Sequence, residues 1–316
     1  MNDALLAAVD IGGTKTLAVL FRPDGTVVRR YDTYGLTPVD APIDVCTAHY
    51  ASILPALTAG VAEPVRAAYF SIACTEHYPE AYRTALRAST DAPSLRVEPD
   101  GLCLISAMLG HRDGASIICG TGSSLYIRRG ESFRRIGGWG HYIDSCGSGF
   151  VLGRLAIRAV LRSHDGRAVP TALTELVNAK CGRPIWDDYD RIYSLGRPYV
   201  ASYASCVFEA RRAGDPAASE IFDSCAADLA ELITTAFRSG GGGELTVVFN
   251  GGIFTHFPEY AEAVRALAPA AVRAVFSDVP PVFGCAVEAL HDVGIEADEA
   301  FRAAFIAGLE AVKPEK

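Results

Sequence analysis

Asp10-Ile-Gly-Gly-Thr-Lys-Thr16 follows the apolar run Leu5-Leu-Ala-Ala-Val9, and no other stretch constrains the chain as tightly. A buried strand that ends in an acid, two glycines and two hydroxyls is built to meet phosphate. Gly12 and Gly13 let the backbone turn sharply and bring N–H groups close to an anion. Thr14 and Thr16 offer hydroxyl donors, Lys15 offers charge, and Asp10 is suited to hold a hydrated Mg2+. On its own, Gly-Gly-Thr after a strand reads as an ordinary β-turn. The pattern returns at Ser116-Ile-Ile-Cys-Gly-Thr-Gly-Ser-Ser124, where a β-branched run meets Gly120, Thr121, Gly122 and Ser123. It returns again at Leu245-Thr-Val-Val-Phe-Asn-Gly-Gly-Ile-Phe254, whose turn is Asn250-Gly251-Gly252.

None of the three turns is a Walker A loop, and none fits the dinucleotide Gly-x-Gly-x-x-Gly pattern. In their order and spacing they resemble the phosphate-1, phosphate-2 and adenosine motifs of the actin-like ATPase fold. That resemblance implies an α/β protein of the actin-like (ribonuclease H-like) type, with two similar domains around an interdomain cleft. It also implies ATP in that cleft, its phosphates on the turns at 11–16 and 120–124 and its adenosine against Asn250-Gly251-Gly252.

The chain of 316 residues is long enough for two domains. Its net charge of −8 argues against a nucleic-acid partner, since phosphate backbones are met by basic patches. Met1-Asn-Asp-Ala-Leu-Leu has no basic leader, so no signal peptide is expected. The longest stretch without Asp, Glu, Lys or Arg, residues 45–62, is broken by Thr47, His49, Pro55, Thr58 and Gly60, so no membrane span is expected either. Nine cysteines are scattered without a C-x-x-C pair, the usage of a reducing, cytoplasmic compartment where thiols serve as small core residues.

Strand-like and helix-like segments alternate, as in α/β proteins. Strands are expected at 4–10, 16–22, 26–31, 65–73, 95–98, 245–249 and 271–276, with a hairpin turn at Pro23-Asp-Gly25. The hairpin that opens the second half turns at Arg129-Gly-Glu131. Helices are expected at 43–59, 78–89, 102–110, 148–162, 171–180, 198–213, 216–238, 258–267, from Pro280 onwards, and at 298–312. The domains are expected at 1–117 and 118–290, with a C-terminal helix in 291–316 packing back towards the first.

The segment Gly137-Gly-Trp-Gly-His-Tyr-Ile-Asp-Ser-Cys-Gly-Ser-Gly-Phe-Val-Leu-Gly-Arg154 narrows the resemblance. It is similar to the N-acetylglucosamine kinase and BadF/BadG/BcrA/BcrD ATPase family, whose members carry Gly-Gly-Trp-Gly followed by Gly-Asp-Glu-Gly-Ser. Pro281-Val-Phe-Gly-Cys-Ala286 resembles that family's Pro-Val-Tyr-Gly-Ala-Ala, so the resemblance runs over residues 5–290. It brings Asp100, in Val97-Glu-Pro-Asp-Gly-Leu102, onto the strand-end aspartate that resembles the catalytic base of the sugar kinases. In-line phosphoryl transfer needs an acid there to orient the acceptor hydroxyl and take its proton. The bland reading of Asp100 is a helix N-cap.

Two departures bear on the acceptor. The family's Gly-Asp-Glu-Gly-Ser is here Asp144-Ser-Cys-Gly-Ser148, so Ser145 replaces the acid that resembles a sugar-hydroxyl ligand, unless Asp144 reaches round. The family's Ser-Thr-Asn sugar loop falls on Thr37-Pro-Val39, which loses an amide. A site that loses two polar ligands does not keep its specificity, because unpaired donors are costly. N-acetylglucosamine is therefore expected to be a poor acceptor. Thr75 and Glu76 either replace the missing polar groups or belong to a solvated loop. Gly138 and Trp139 line the acceptor side, Trp139 either stacking on a ligand ring or plugging an interface, while His141 reads as structural.

The expectation is thus an ATP- and Mg2+-dependent kinase, a homodimer, acting on a hydroxyl of a small sugar or amino sugar. The alternative is an ATPase activator of the same fold that holds an iron–sulfur cluster through paired cysteines, with Cys146 and Cys181 as candidates. A nucleotide-binding regulator is not expected, since Asp100 is present and no DNA-binding module precedes residue 5.

Overall fold

Leu5–Val9 contains no polar side chain, and every one of its residues is fully buried. In the computed structural model, which describes residues 4–39, 41–73, 75, 78–241 and 243–314, this run is the middle strand of a five-stranded sheet. The strands are β1 (Leu5–Ile11), β2 (Lys15–Phe21), β3 (Val27–Tyr34), β4 (Val65–Ile72) and β5 (Ser94–Glu98), in the order β3-β2-β1-β4-β5. β1, β2 and β3 pair antiparallel, whereas β4 and β5 run parallel to β1. A strand covered on both faces reads as a continuous apolar run rather than an alternating one. Leu5, Ala7, Val9 and Ile11 share one face with Tyr50, Ile53, Leu54 and Leu57 of helix α1 (Ile43–Thr58). Helices α2 (Pro79–Arg87) and α3 (Asp100–Leu109) flank β5, each entered through a proline.

Residues 113–276 form a second compact unit. Its strands β6 (Gly114–Cys119), β7 (Ser123–Arg129) and β8 (Ser132–Ile136) make two antiparallel pairs, and Gly130 turns the second of them at φ +52°. There follow α4 (Gly149–His164), α5 (Leu173–Cys181), a tight turn at Ile185–Asp187, α6 (Tyr189–Ser194), α7 (Gly196–Ser202), α8 (Ala204–Arg212) and α9 (Pro216–Ser239). Strand β9 (Leu245–Asn250), helices α10 (Gly252–His256) and α11 (Pro258–Leu267), and strand β10 (Val272–Phe276) complete it. The sheet order β10-β9-β6-β7-β8, with β9 parallel to β6, repeats that of the first sheet. The two β-turn-β openings are therefore equivalent. Ile117, Leu125, Val247 and Phe249 of the sheet bury against Leu152, Ala156 and Val160 of α4 and Leu229 and Ile233 of α9.

The helix expected at 198–213 is two, parted at Tyr203. Gly153 of α4 lies so close to this corner that a Cβ there would sit 2.0 Å from the Val200 carbonyl oxygen.

The chain then returns to the first unit, which comprises residues 1–112 and 277–316. Helix α12 (Pro281–His291) packs on α3, β1 and β4. A Cβ on Gly284 would fall 1.8 Å from the Cys103 carbonyl oxygen, so α3 and α12 touch backbone to backbone. This packing corrects the expected boundaries: residues 277–290 belong with the first unit, and the second begins at 113. Helix α13 (Glu299–Ala311) sets Phe301 and Phe305 on Phe21, with ring centroids 5.9 and 5.3 Å away. Among the described residues no helix is long and apolar enough to cross a membrane.

Candidate active site

In the first unit the chemistry gathers where β1 ends. Asp10 lies half-buried beside Ser71 of β4, whose Oγ donates to Asp10 Oδ1 at 3.1 Å. Burial pushes the Asp10 carboxyl up to about 6, although the Ser71 hydrogen bond and the Lys15 charge pull the other way. Ser71 Oγ also stands 3.3 Å from Cys103 Sγ, and Cys103 donates to the Asp100 carbonyl at 3.0 Å. Asp10 and the start of α3 are thereby tied together.

The turn above Asp10 closes through a hydrogen bond from Gly12 N to Lys15 O, 3.0 Å long. Gly13, Thr14 and Lys15 are exposed at its tip. Thr16 points the other way: it is buried and its Oγ1 donates to the Tyr34 carbonyl at 3.1 Å, so that hydroxyl serves the sheet rather than an anion. Gly35 was not anticipated. A Cβ there would lie 2.3 Å from Gly12 O, 2.4 Å from Lys15 N and 2.6 Å from Thr14 N, so only glycine lets β3 support the turn.

Asp100 is the first residue of α3, half-buried, and Pro99 holds the N-cap position with no side-chain cap hydrogen bond. The N-cap reading of Asp100 therefore does not describe its position. Thr75 is buried and donates to the carbonyls of Ile72 and Glu98, which leaves it a backbone tie. Thr37 is also buried, and its carbonyl accepts from Ala41 N at 3.1 Å. Glu76 lies outside the described residues.

In the second unit the corresponding point is the end of β6. Gly120 N donates to Gly122 O at 2.9 Å, which closes the turn. The turn sits on the first residues of α4, where Gly149 N donates to Gly120 O at 2.8 Å and Phe150 N to Thr121 O at 3.0 Å. Ser123 is buried and its hydroxyl donates to the Cys146 carbonyl, so it fastens the turn to the loop before α4. Asn250 ends β9 opposite Ile118. Gly251 adopts φ +113°, and a Cβ there would lie 2.3 Å from Cys119 O. Gly252 opens α10. The second and third glycine motifs therefore meet, with α4 between them and the chain that follows.

The loop 137–148 lies alongside. Gly138, at φ +75°, is pressed on the Ser123 carbonyl, where a Cβ would approach to 2.7 Å. Trp139 is 58% exposed, and its ring carries the Arg135 guanidinium 4.4 Å from the centroid. Asp144 accepts from Cys146 Sγ at 3.0 Å through Oδ1. Burial first, and then this carboxylate, push the Cys146 thiol up to about 12. Ser145 is buried with its Oγ 2.8 Å from Ser148 Oγ, and Ser148 in turn caps α4 by accepting from Val151 N. Cys181, at the end of α5, is buried with Arg191 Nη2 3.2 Å from its sulfur.

The geometry can be set beside known proteins. The N-acetylmuramic acid/N-acetylglucosamine kinase of Clostridium acetobutylicum is 35% identical over 122 residues, which are 37% of this chain and 40% of that protein. The glucosamine kinase of Vibrio cholerae is 30% identical over 170 residues, 51% of this chain and 55% of that protein. The chain thus spans about half the length of the curated relatives it matches. The structure of a candidate N-acetylglucosamine kinase from Porphyromonas gingivalis superposes with a TM-score of 0.72 at 22% identity, covering 92% of this chain and 100% of that one. This likeness establishes the fold, the two-domain α/β architecture of the actin-like ATPases and sugar kinases. The sequence pattern of the BadF/BadG/BcrA/BcrD ATPases matches residues 8–289, from within β1 to within α12. A match of that extent leaves one conclusion: the chain belongs to the BadF/BadG/BcrA/BcrD ATPase family.

Proposed function

We propose that this protein is an ATP-dependent kinase that phosphorylates a hydroxyl of a sugar or amino sugar. The observation that carries the reading is the tie from Asp10 through Ser71 and Cys103 to the start of α3. It brings a carboxylate below a phosphate-type turn within a short chain of contacts of Asp100. The relatives support the same reading by their names, which are those of amino-sugar kinases.

In this reading backbone N–H groups of the turn at Gly12–Lys15 in the first unit meet ATP phosphate, and in the second unit the turn at Gly120–Gly122 offers the same kind of donors beside the Asn250–Gly252 motif for adenosine. Asp10 suits a hard divalent cation, since it offers a carboxylate beneath the turn and such cations prefer oxygen ligands. Mg2+, when bound, neutralises phosphate charge. Asp100 accepts the proton of the acceptor hydroxyl as its oxygen bonds to the γ-phosphorus and the bond to the ADP oxygen breaks. Ser145, tied to Ser148, and Val39, 45% exposed, leave the acceptor side poorer in polar ligands than in the family pattern. Homodimeric assembly and a reducing cytoplasmic setting belong to the same reading.

The iron–sulfur alternative is disfavoured. Cys146 donates to Asp144, Cys181 is buried with Arg191 Nη2 on its sulfur, and the relatives are named as amino-sugar kinases. The test is ADP release with Mg2+ across a panel of N-acetylglucosamine, glucosamine, N-acetylmuramic acid, glucose and polyols. Turnover with a sugar other than N-acetylglucosamine is the expected result. Silence across the whole panel would overturn the kinase, and efficient use of N-acetylglucosamine would overturn the altered specificity.

A further inference from the structure

Two thiols that take no chemical step in the mechanism stand close to Asp10, one of them the Cys103 that ties Ser71 to the start of α3. Cys103 of α3 and Cys285 of α12 are both fully buried. One ligand atom each from Asp10, Cys103 and Cys285 lies within 4.8 Å of the others. The close approach of Gly284 to the Cys103 carbonyl brings the two helices, and with them the two thiols, together. Ser71 Oγ reaches both Asp10, at 3.1 Å, and Cys103, at 3.3 Å.

We propose that Asp10, Cys103 and Cys285 form a site for a thiophilic divalent cation of the zinc class, bound by two thiolates and one carboxylate oxygen. With zinc–sulfur bonds of about 2.3 Å, tetrahedral ligation places two sulfurs about 3.8 Å apart. The three ligand atoms, all within 4.8 Å of one another, stand near that spacing. Ser71 then orients the carboxylate from outside the ligand set, as hydrogen-bonding neighbours of metal ligands do. The exchange is balanced: the cation enters, each thiol gives up its proton to solvent, and the carboxylate binds as the anion. Entry is from the half-buried Asp10 side, under the exposed Gly13–Lys15 tip. Hard Mg2+ prefers oxygen, so it does not draw in the thiols. A zinc-class ion held here takes Asp10 away from Mg2+ and inhibits turnover; this last consequence alone rests on the proposed kinase function.

The test is a Co2+ titration of the full, metal-free chain. One equivalent is expected to give a thiolate-to-cobalt charge-transfer band with tetrahedral d–d bands, lost on adding Zn2+ and kept on adding Mg2+. Cys103→Ala and Cys285→Ala should each abolish the charge-transfer band. X-ray absorption at the zinc edge of the wild-type chain is a second measurement that needs no variant, and two sulfur neighbours at about 2.3 Å are expected. A zinc shell without sulfur would overturn the site, as would a cobalt band that survives in both folded variants. If no sugar is phosphorylated, the kinase fails while the cobalt spectrum still decides the metal site. If turnover is robust and zinc leaves it unchanged while the band is present, inhibition through Asp10 is wrong.

Discussion

Asp10 and Asp100 are both half-buried acids at the ends of core elements, yet they call for different measurements. Asp100→Asn keeps size and removes the proton acceptor. General-base catalysis contributes on the order of 10²–10⁴-fold, so kcat should fall by about that factor while ATP affinity is unchanged. A variant that unfolds more readily but keeps its specific activity would reduce Asp100 to the first residue of a helix. For Asp10 the sign follows from its raised pKa. Its carboxyl titrates near 3.8 when unfolded and near 6 when folded, so between these values the native state holds the extra proton. In the metal-free protein this contribution to stability is full below the unfolded value and is lost as pH rises through about 6. Asp10→Asn should flatten the dependence of Tm on pH across that window and raise the metal-free Tm at neutral pH, while abolishing Mg2+-dependent turnover. An unchanged Tm profile would show that the carboxyl is not held out of water.

At the scale of elements, the glycines that support the turns are more exacting than those at the tips. Gly251→Ala places a side chain against Cys119 O and forces a non-glycine residue to φ +113°, a conformation that costs on the order of 1–3 kcal/mol before any clash. Thermal melts should record at least that loss, together with weakened ATP binding. Gly35→Ala has no such backbone problem but intrudes on Gly12, Thr14 and Lys15. It should lower Tm, because the backbone of the turn must shift to admit the methyl group, and raise the KM for ATP as well; a lowered Tm with an unchanged KM would make Gly35 a core residue only. The strands were legible because Leu5–Val9 is apolar without interruption and Leu245–Phe249 is broken only by Thr246. The turns were legible because glycine pairs follow those runs. The hydroxyls were not: Thr16, Thr75 and Ser123 look like ligand donors in sequence. Their acceptors, Tyr34, Glu98 and Cys146, come from neighbouring elements that local composition does not reveal. The short helix Tyr189–Ser194 was hidden for the same reason, since buried Asp188 organises this segment through Arg183, Arg191 and Tyr199 instead of through an apolar stripe.

For the whole molecule, the division of the core predicts which parts are self-sufficient. Among the described residues the second unit's core cluster lies within residues 115–274, so a fragment of residues 113–276 should unfold cooperatively on its own. Residues 1–112 alone lack α12 and α13 and should not. Within the full chain, Phe305→Ala removes a fully buried ring from Phe21 and should cost about 3–5 kcal/mol, read as a lowered midpoint in denaturant. A small loss would mean that α13 is only loosely applied to the sheet.

The return of residues 277–311 to the first sheet also sets a timetable for synthesis. The strands made first, β1 to β5, emerge from the ribosome before α12 and α13 exist to cover them. The second unit, uninterrupted in sequence, completes itself during that interval. An apolar sheet therefore waits, partly uncovered, while residues 113–276 are translated. Chains normally fold from the N-terminal domain onward; here the earliest residues are among the last to reach their final packing.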